Sequence, residues 1–437
     1  MNQLTVLRGQ TLSFSGDAFI KGVEDTMVFE SDGMVVIENG HITQAGPATE
    51  VMTTLPSGVK VESYDKDHII MPGFIDCHVH YPQTQIIGAY GKQLIDWLNE
   101  YTFIAEQQFE DKAHAAEVAN VFLQECLKAG TTTSSVFCTV HPQSVDAFFE
   151  ASSALNMRMI AGKVLMDRHA PEALLDTPQQ GYDQSKALID RWHEHGRQLY
   201  AVTPRFAPTS SPEQMDMAGQ LWQESPGTFL QSHVSENKGE IEWVKSLYPK
   251  CKGYLDVYDK YQQLGPRAIY GHGVWLSESE LQRCHETGTA IAHCPTSNQF
   301  LGSGLFDLKN ATQAERPVRV GLATDLGAGT SFSMLQTLNE TYKVAQLNGY
   351  PLSAGLAFYL ATRGSAKSLY LDDKIGSIEV GNEADLVVLN TKSTAAIEYR
   401  MRYCESLEEA LFIQMTLGDD RAIKATYVAG KCLYQSS

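Results

Sequence analysis

Between residues 69 and 375 strand-like runs alternate with helix-like segments, and that alternation most constrains the fold. The runs are GFIDCHVH (73–80), TTTSSVF (131–137), RMIAGKVLMD (158–167), YAVTPRFAP (200–208), TFLQSHVS (228–235), AIYGHGVWL (268–276), TAIAHCPTS (289–297) and RVGLATD (319–325). Between them lie AHAAEVANVFLQECLKAG (113–130, closing on Gly130), QSKALIDRWHEHG (184–196) and SPEQMDMAGQLWQES (211–225). These carry helical spacing and capping signals. Strands alternating with crossover helices build a parallel sheet. Eight runs are the number that a closed (β/α)8 TIM-type barrel requires.

The flanks read differently. Residues 1–68 hold short alternating stretches (LTVLRG, MVVIENGHITQAG) with a turn signal at Glu38-Asn39-Gly40. Residues 376–437 return to that pattern in GSIEVGNEADLVVLN and AIKATYVAGKCLYQ. The expected architecture is therefore a barrel over 69–375 with a small flanking β-sandwich built from both termini, 1–68 and 376–437.

In such barrels the chemistry sits at the C-terminal ends of the strands. The first run ends in His78-Val79-His80. On a strand, Asp76, His78 and His80 share one face, and two neutral imidazoles there can grip one ion. The spacing alone is weak: thirteen histidines in this chain give about 0.4 His-x-His pairs by chance. A second pair, His193 and His195, falls in a helical segment, where residues two apart do not face each other. Later strand ends supply Arg205-Phe206, His233 with Glu236 three residues on, His272 between two glycines, and Asp325. Imidazole and carboxylate donors suit zinc, with iron as the near competitor. A divalent ion lowers the pKa of bound water toward ~7, which makes hydroxide available at neutral pH. Asp76 sits lower on its strand and reads as support for the ligands. His293 reads as structural, and Lys163 lies mid-strand with no second metal site to bridge. His41, His68, His114, His141, His169 and His285 fall in turns, helices or loops and take no role.

Lys plus Arg number 34 against 52 Asp plus Glu, a net charge of −18. That balance disfavours nucleic acid and membrane surfaces as partners and suits a small neutral or cationic substrate. Eight scattered cysteines without a Cys-x-x-Cys pair fit a reducing, cytoplasmic setting. No signal-type start or long apolar run is present. A homodimer is the default for an enzyme of this size.

PGFIDCHVH, the His-x-x-Glu at 233–236, GHG at 271–273, and LATDLGAGTS followed by GSIEVGNEADLVVLN together resemble the amidohydrolase superfamily over essentially the whole chain. HVHYPQ (78–83), PRF (204–206), SHVSEN (232–237) and TDLGAG (324–329) are similar to its guanine-deaminating branch. The resemblance implies one metal ion held by His78, His80, His233 and Asp325. It implies Gln83, Arg205 and Phe206 on the purine, with His233, Glu236 and Asp325 also facing it. Glu236, His272 and Asp325 become the catalytic groups. The implied reaction is hydroxide attack on C2 of guanine, releasing ammonia and leaving xanthine. Two rivals stay open: deamination of another cyclic amidine, and a non-catalytic relative that binds partners.

Overall fold

The computed structural model describes residues 4–90 and 93–436. In chain order the strands are β1 (Leu4–Phe14), β2 (Met27–Glu38), β3 (His41–Pro47), β4 (Glu62–Ser63), β5 (His68–Pro72), β6 (Phe74–His80), β7 (Thr131–Phe137), β8 (Arg158–Gly162) and β9 (Val164–Leu165). They continue as β10 (Gln198–Pro204), β11 (Phe229–Val234), β12 (Ala268–His272), β13 (Ala290–His293), β14 (Arg319–Leu322), β15 (Leu386–Asn390), β16 (Ile423–Val428) and β17 (Lys431–Gln435).

Two sheets result. Parallel pairing in the order β6-β7-β8-β10-β11-β12-β13-β14 makes the barrel wall, with β9 joined to β10. These strands are buried on both faces, as all seven residues of TTTSSVF illustrate, because helices cover the outside. The seam between β14 and β6 is tied just beyond the end of β14, against residues within β6. The Asp325 N–H donates to the His78 carbonyl at 3.0 Å, and the Thr324 N–H donates to Asp76 at 3.0 Å.

The second sheet is mixed, in the order β17-β16-β15-β5-β1-β2-β3. Both chain ends contribute, and Leu7, Val35, Ile70, Leu386, Val388 and Tyr427 share one interior. Pairing of β5 with β1 and β15 puts residues 68–72 in this sheet. The changeover to the barrel therefore falls at Gly73, four residues after the boundary expected at 69. Nor is the C-terminal span wholly β. The helix Leu407–Leu417 packs against the barrel helices Met334–Leu347 and Ala354–Tyr359, because Leu411 and Met415 share a core with Leu335, Leu338 and Phe358.

The helices begin where the capping residues stand. Asp111 caps Lys112–Lys128, a Thr177/Gln180 capping box starts Pro178–Trp192, and Ser211 caps Pro212–Glu224. Gly130, just past the first of these, has φ +79. The Pro178–Trp192 helix stops before His193. His193 and His195 thus lie in the turn beyond it, not on the helix as expected. The cause is visible in the backbone: Glu194 has φ +60, and His193 Nδ1 accepts from the Tyr200 N–H at 3.2 Å.

An ionic knot joins the two sheets. Glu383 accepts from Arg158 at 2.7 Å and from Arg197 at 2.7 Å, and Arg197 also pairs with Asp385. Burial alone would raise the Glu383 carboxyl, but the Arg158 hydrogen bonds and the Arg197 charge bring it down to about 2 from an ordinary 4.5. A depressed carboxyl stabilises the fold above its unfolded pKa and loses that contribution as pH falls toward the folded one. The difference corresponds to about 3 kcal/mol. Glu383→Gln is expected to lower the melting temperature at pH 7, with the gap to wild type narrowing as the pH drops below about 4.5. A gap that stays constant with pH would contradict this account.

Candidate active site

Strand ends gather the residues singled out in the sequence. His78 and His80 come from β6, His233 from β11 and His272 from the last position of β12; Asp325 follows β14 by three residues. The β6–β7 register shifts between Asp76 and Val79, so strict alternation is interrupted there. His78 and His80 nonetheless converge, with ring centroids 5.2 Å apart. His80 Nε2 and His233 Nε2 stand 3.1 Å apart. Asp325 Oδ1 is 3.5 Å from His78 Nε2 and 3.7 Å from His80 Nε2.

Hydrogen bonds set which nitrogen of each ring is free. His233 Nδ1–H donates to the Arg205 carbonyl at 2.7 Å, and His272 Nδ1–H donates to Asn298 Oδ1 at 2.8 Å. Each Nε2 is thereby left as a lone pair turned into the site, the way outer partners orient metal-binding imidazoles. Burial pushes His78, His80 and His233 well below the usual imidazole range, reinforced by the crowding of imidazoles on one another and by Arg205. They are held neutral, the form that binds metal. His78 Nε2 is buried with no hydrogen-bond partner among the described residues. An orphaned nitrogen in a neutral cluster costs free energy unless something accepts its lone pair, and a divalent cation does so. His78, His80 and His233 bring their ligand atoms within 4.8 Å of one another, and so do His78, His272, Cys294 and Asp325. Burial raises the Cys294 thiol, which donates to the Ala292 carbonyl at 3.3 Å.

The backbone is strained at this mouth. Ser235, His272 and Asp325 have φ of +49, +74 and +47, a region non-glycine residues enter at a cost that active sites commonly retain.

Two carboxylates face the imidazoles. Glu236 Oε1 accepts from the Ser303 hydroxyl at 2.9 Å, while Oε2 stands 3.5 Å from His272 Nε2. Burial raises the Glu236 carboxyl above the ordinary range. Burial would lower His272, but Glu236 and Asp325 bring it above its ordinary value. Behind Glu236, Glu240 Oε2 accepts the Glu236 N–H at 2.9 Å, and burial lifts the Glu240 carboxyl to about 7.

The cavity in front of these groups is also lined by Gln83, Arg205, Phe206, Trp97 and Leu301. Arg205 is buried and ion-paired with Glu106 at 2.7 Å. Between β6 and the first long helix, Tyr81–Ile86, Leu94–Trp97, Leu98–Thr102, Phe103–Gln107 and Gln108–Glu110 form short helices. Leu94, Trp97, Leu98 and Phe103 from this excursion cluster with Phe137, Val164 and Phe206 over the strand ends. Glu106, Asn298 and Ser303 touch site residues yet carry no motif in the sequence. Only a strand-end residue has a positional signal, and these three sit on a short helix, a helix turn and a loop.

The remaining candidates lie elsewhere. Asp76 accepts from the Thr324 N–H and hydroxyl, which anchors the residue before Asp325. Lys163 is paired with Asp176. His293 stacks on Phe306, centroids 4.9 Å apart, away from the cavity.

A parallel eight-stranded barrel with imidazoles and carboxylates gathered at its C-terminal mouth defines a hydrolase of the metal-binding barrel class. The family model described as Amidohydrolase family matches residues 69–433, and the chain belongs to that family. Amidohydrolases generally bind a divalent metal. Among known proteins the chain is 54% identical over 413 residues to guanine deaminase of Escherichia coli K12, covering 94% of this chain and 93% of the relative. It superposes on guanine deaminase from Bradyrhizobium japonicum with a TM-score of 0.97 and 38% identity, covering all of both chains. On guanine deaminase from C. acetobutylicum, solved with guanine in its active site, the TM-score is 0.86 at 29% identity, covering 99% of this chain and 100% of the other.

Proposed function

We propose that this chain deaminates guanine hydrolytically to xanthine and ammonia. His78, His80, His233 and Asp325 hold one zinc ion, and Glu236, His272 and Asp325 serve the chemistry. One observation carries the reading: the His80, His233 and His272 imidazoles and both carboxylates converge on the same cavity that Gln83, Arg205 and Phe206 line. The identity to guanine deaminases supports the choice of purine.

When bound, the ion supplies hydroxide at neutral pH by lowering the pKa of a coordinated water. The chain's own groups do the rest. Glu236 Oε2, unencumbered on the His272 side, takes the proton from water and hands it to a ring nitrogen of guanine. His272 Nε2, fixed by Asn298, lies 3.5 Å from Glu236 and 3.7 Å from Asp325 and orients the attacking water between them. Phe206 offers an apolar face to the purine, while Gln83 and Arg205 supply polar contacts along its edge. Net, water adds at C2 and the exocyclic amine departs as ammonia.

The test is ammonia release from guanine, other aminopurines, pterins and triazines, with zinc and iron measured on the same sample. Guanine is expected to lead by at least about 10² in kcat/KM. Chelation should abolish the release and zinc restore it. A pterin or triazine leading the panel, or full activity after chelation, would overturn the reading. It also carries a cytoplasmic homodimer, checked by size-exclusion chromatography with light scattering.

A further inference from the structure

We infer that Glu106 is a positioning residue that sets substrate specificity by fixing Arg205 against the purine edge. The inference rests on the guanine reading above and deepens it.

Glu106 sits on the short helix Phe103–Gln107 of the excursion over the barrel mouth and is completely buried. Both its oxygens accept from the same nitrogen of Arg205: Nη1 lies 2.8 Å from Oε1 and 2.7 Å from Oε2. The Phe103 ring lies against the guanidinium, its centroid 5.6 Å from Cζ. One corner of the fork is thus chelated and one side of the guanidinium is covered. Among the described residues no hydrogen bond engages Arg205 Nε or Nη2, although Arg205 lines the cavity.

The consequence is directional. A guanidinium held at one corner presents its remaining donors as a fixed pair, and such a pair matches the adjacent O6 and N7 acceptors of guanine. An analogue without O6 offers one acceptor where two donors wait. An analogue with an amine at that position sets donor against donor. Sites built on hydrogen bonds reject such analogues strongly, because their own buried groups are left unpaired. Glu106 also cancels the buried charge of Arg205, so the site accepts a neutral ring beside a cationic centre.

Glu106→Gln keeps the shape and removes the charge. It is expected to raise KM for guanine about tenfold or more with kcat within about threefold, and to lower the guanine to 2-aminopurine ratio of kcat/KM by at least tenfold. Metal content should stay at the wild-type level, and Glu106→Asp should recover part of the ratio. In an Arg205→Gln background, adding Glu106→Gln should change neither KM nor the ratio, because the two act as one unit. That double variant also keeps the test open should Glu106→Gln fail to fold, since it removes both charges together. An unchanged ratio with only a lowered melting temperature, or further loss in the double variant, overturns the inference. Wild-type protein that releases no ammonia from guanine overturns the functional reading instead.

Discussion

Glu236→Gln is expected to cut ammonia release from guanine by about 10³-fold or more, with the fold and bound metal retained. The size follows from what the side chain does: a positioned acid–base group contributes roughly 10²–10⁴. Glutamine can still accept from Ser303, which holds Oε1 at 2.9 Å, but it cannot take up a proton. Stability should hold or rise slightly. Burial already pushes the carboxyl up, so replacing it with a neutral amide relieves a desolvation cost. The measurement is kcat with guanine, alongside melting temperature and metal analysis. A rate within tenfold of wild type would remove Glu236 from the proton-transfer role.

Gly271→Ala is expected to lower the metal content well below one ion per chain and to cut kcat about 100-fold or more. A Cβ at 271 would stand 2.6 Å from Cε1 of His78, 2.8 Å from Nδ1 and 2.9 Å from Nε2. The ring has nowhere to retreat. Phe137 lies 4.7 Å away by centroid and His233 4.6 Å, and the site is wholly buried. Overpacking of this kind costs about 1–3 kcal/mol, and a shift near 1 Å in a reacting constellation can cost about 10² in rate. Elemental analysis and kcat on the purified variant check both parts. Wild-type metal content together with a wild-type rate would mean that His78 is not a ligand held in that place.

Much of the barrel was legible because its signals are local. The run TTTSSVF matches β7 residue for residue, and Ser211 caps the helix that SPEQMDMAGQLWQES announces. Strand ends were legible for the same reason, so His78, His80, His233, His272 and Asp325 could be picked out as chemistry placed at one rim. The failures share a cause. RMIAGKVLMD reads as one strand but breaks at Lys163, whose ammonium turns to Asp176. The helix around His193 ends early because a turn is pinned by β10. The stretch 395–417 reads as part of a β region but contains a helix that docks on the barrel. Each depends on a partner distant in sequence.

By itself, then, the sequence determined the alternation of elements, the eight strands of the barrel and the kind of residue at each strand end. Periodicity and capping are written within a few neighbouring residues. The tertiary structure alone decided how the barrel seam closes between β14 and β6, which imidazole nitrogen is left free, and which carboxylate oxygen faces His272. It alone brought Glu106 to Arg205, ninety-nine positions away in the chain. A lone buried glutamate has no motif, and its meaning comes from the charge it meets once long-range pairing has excluded water between them.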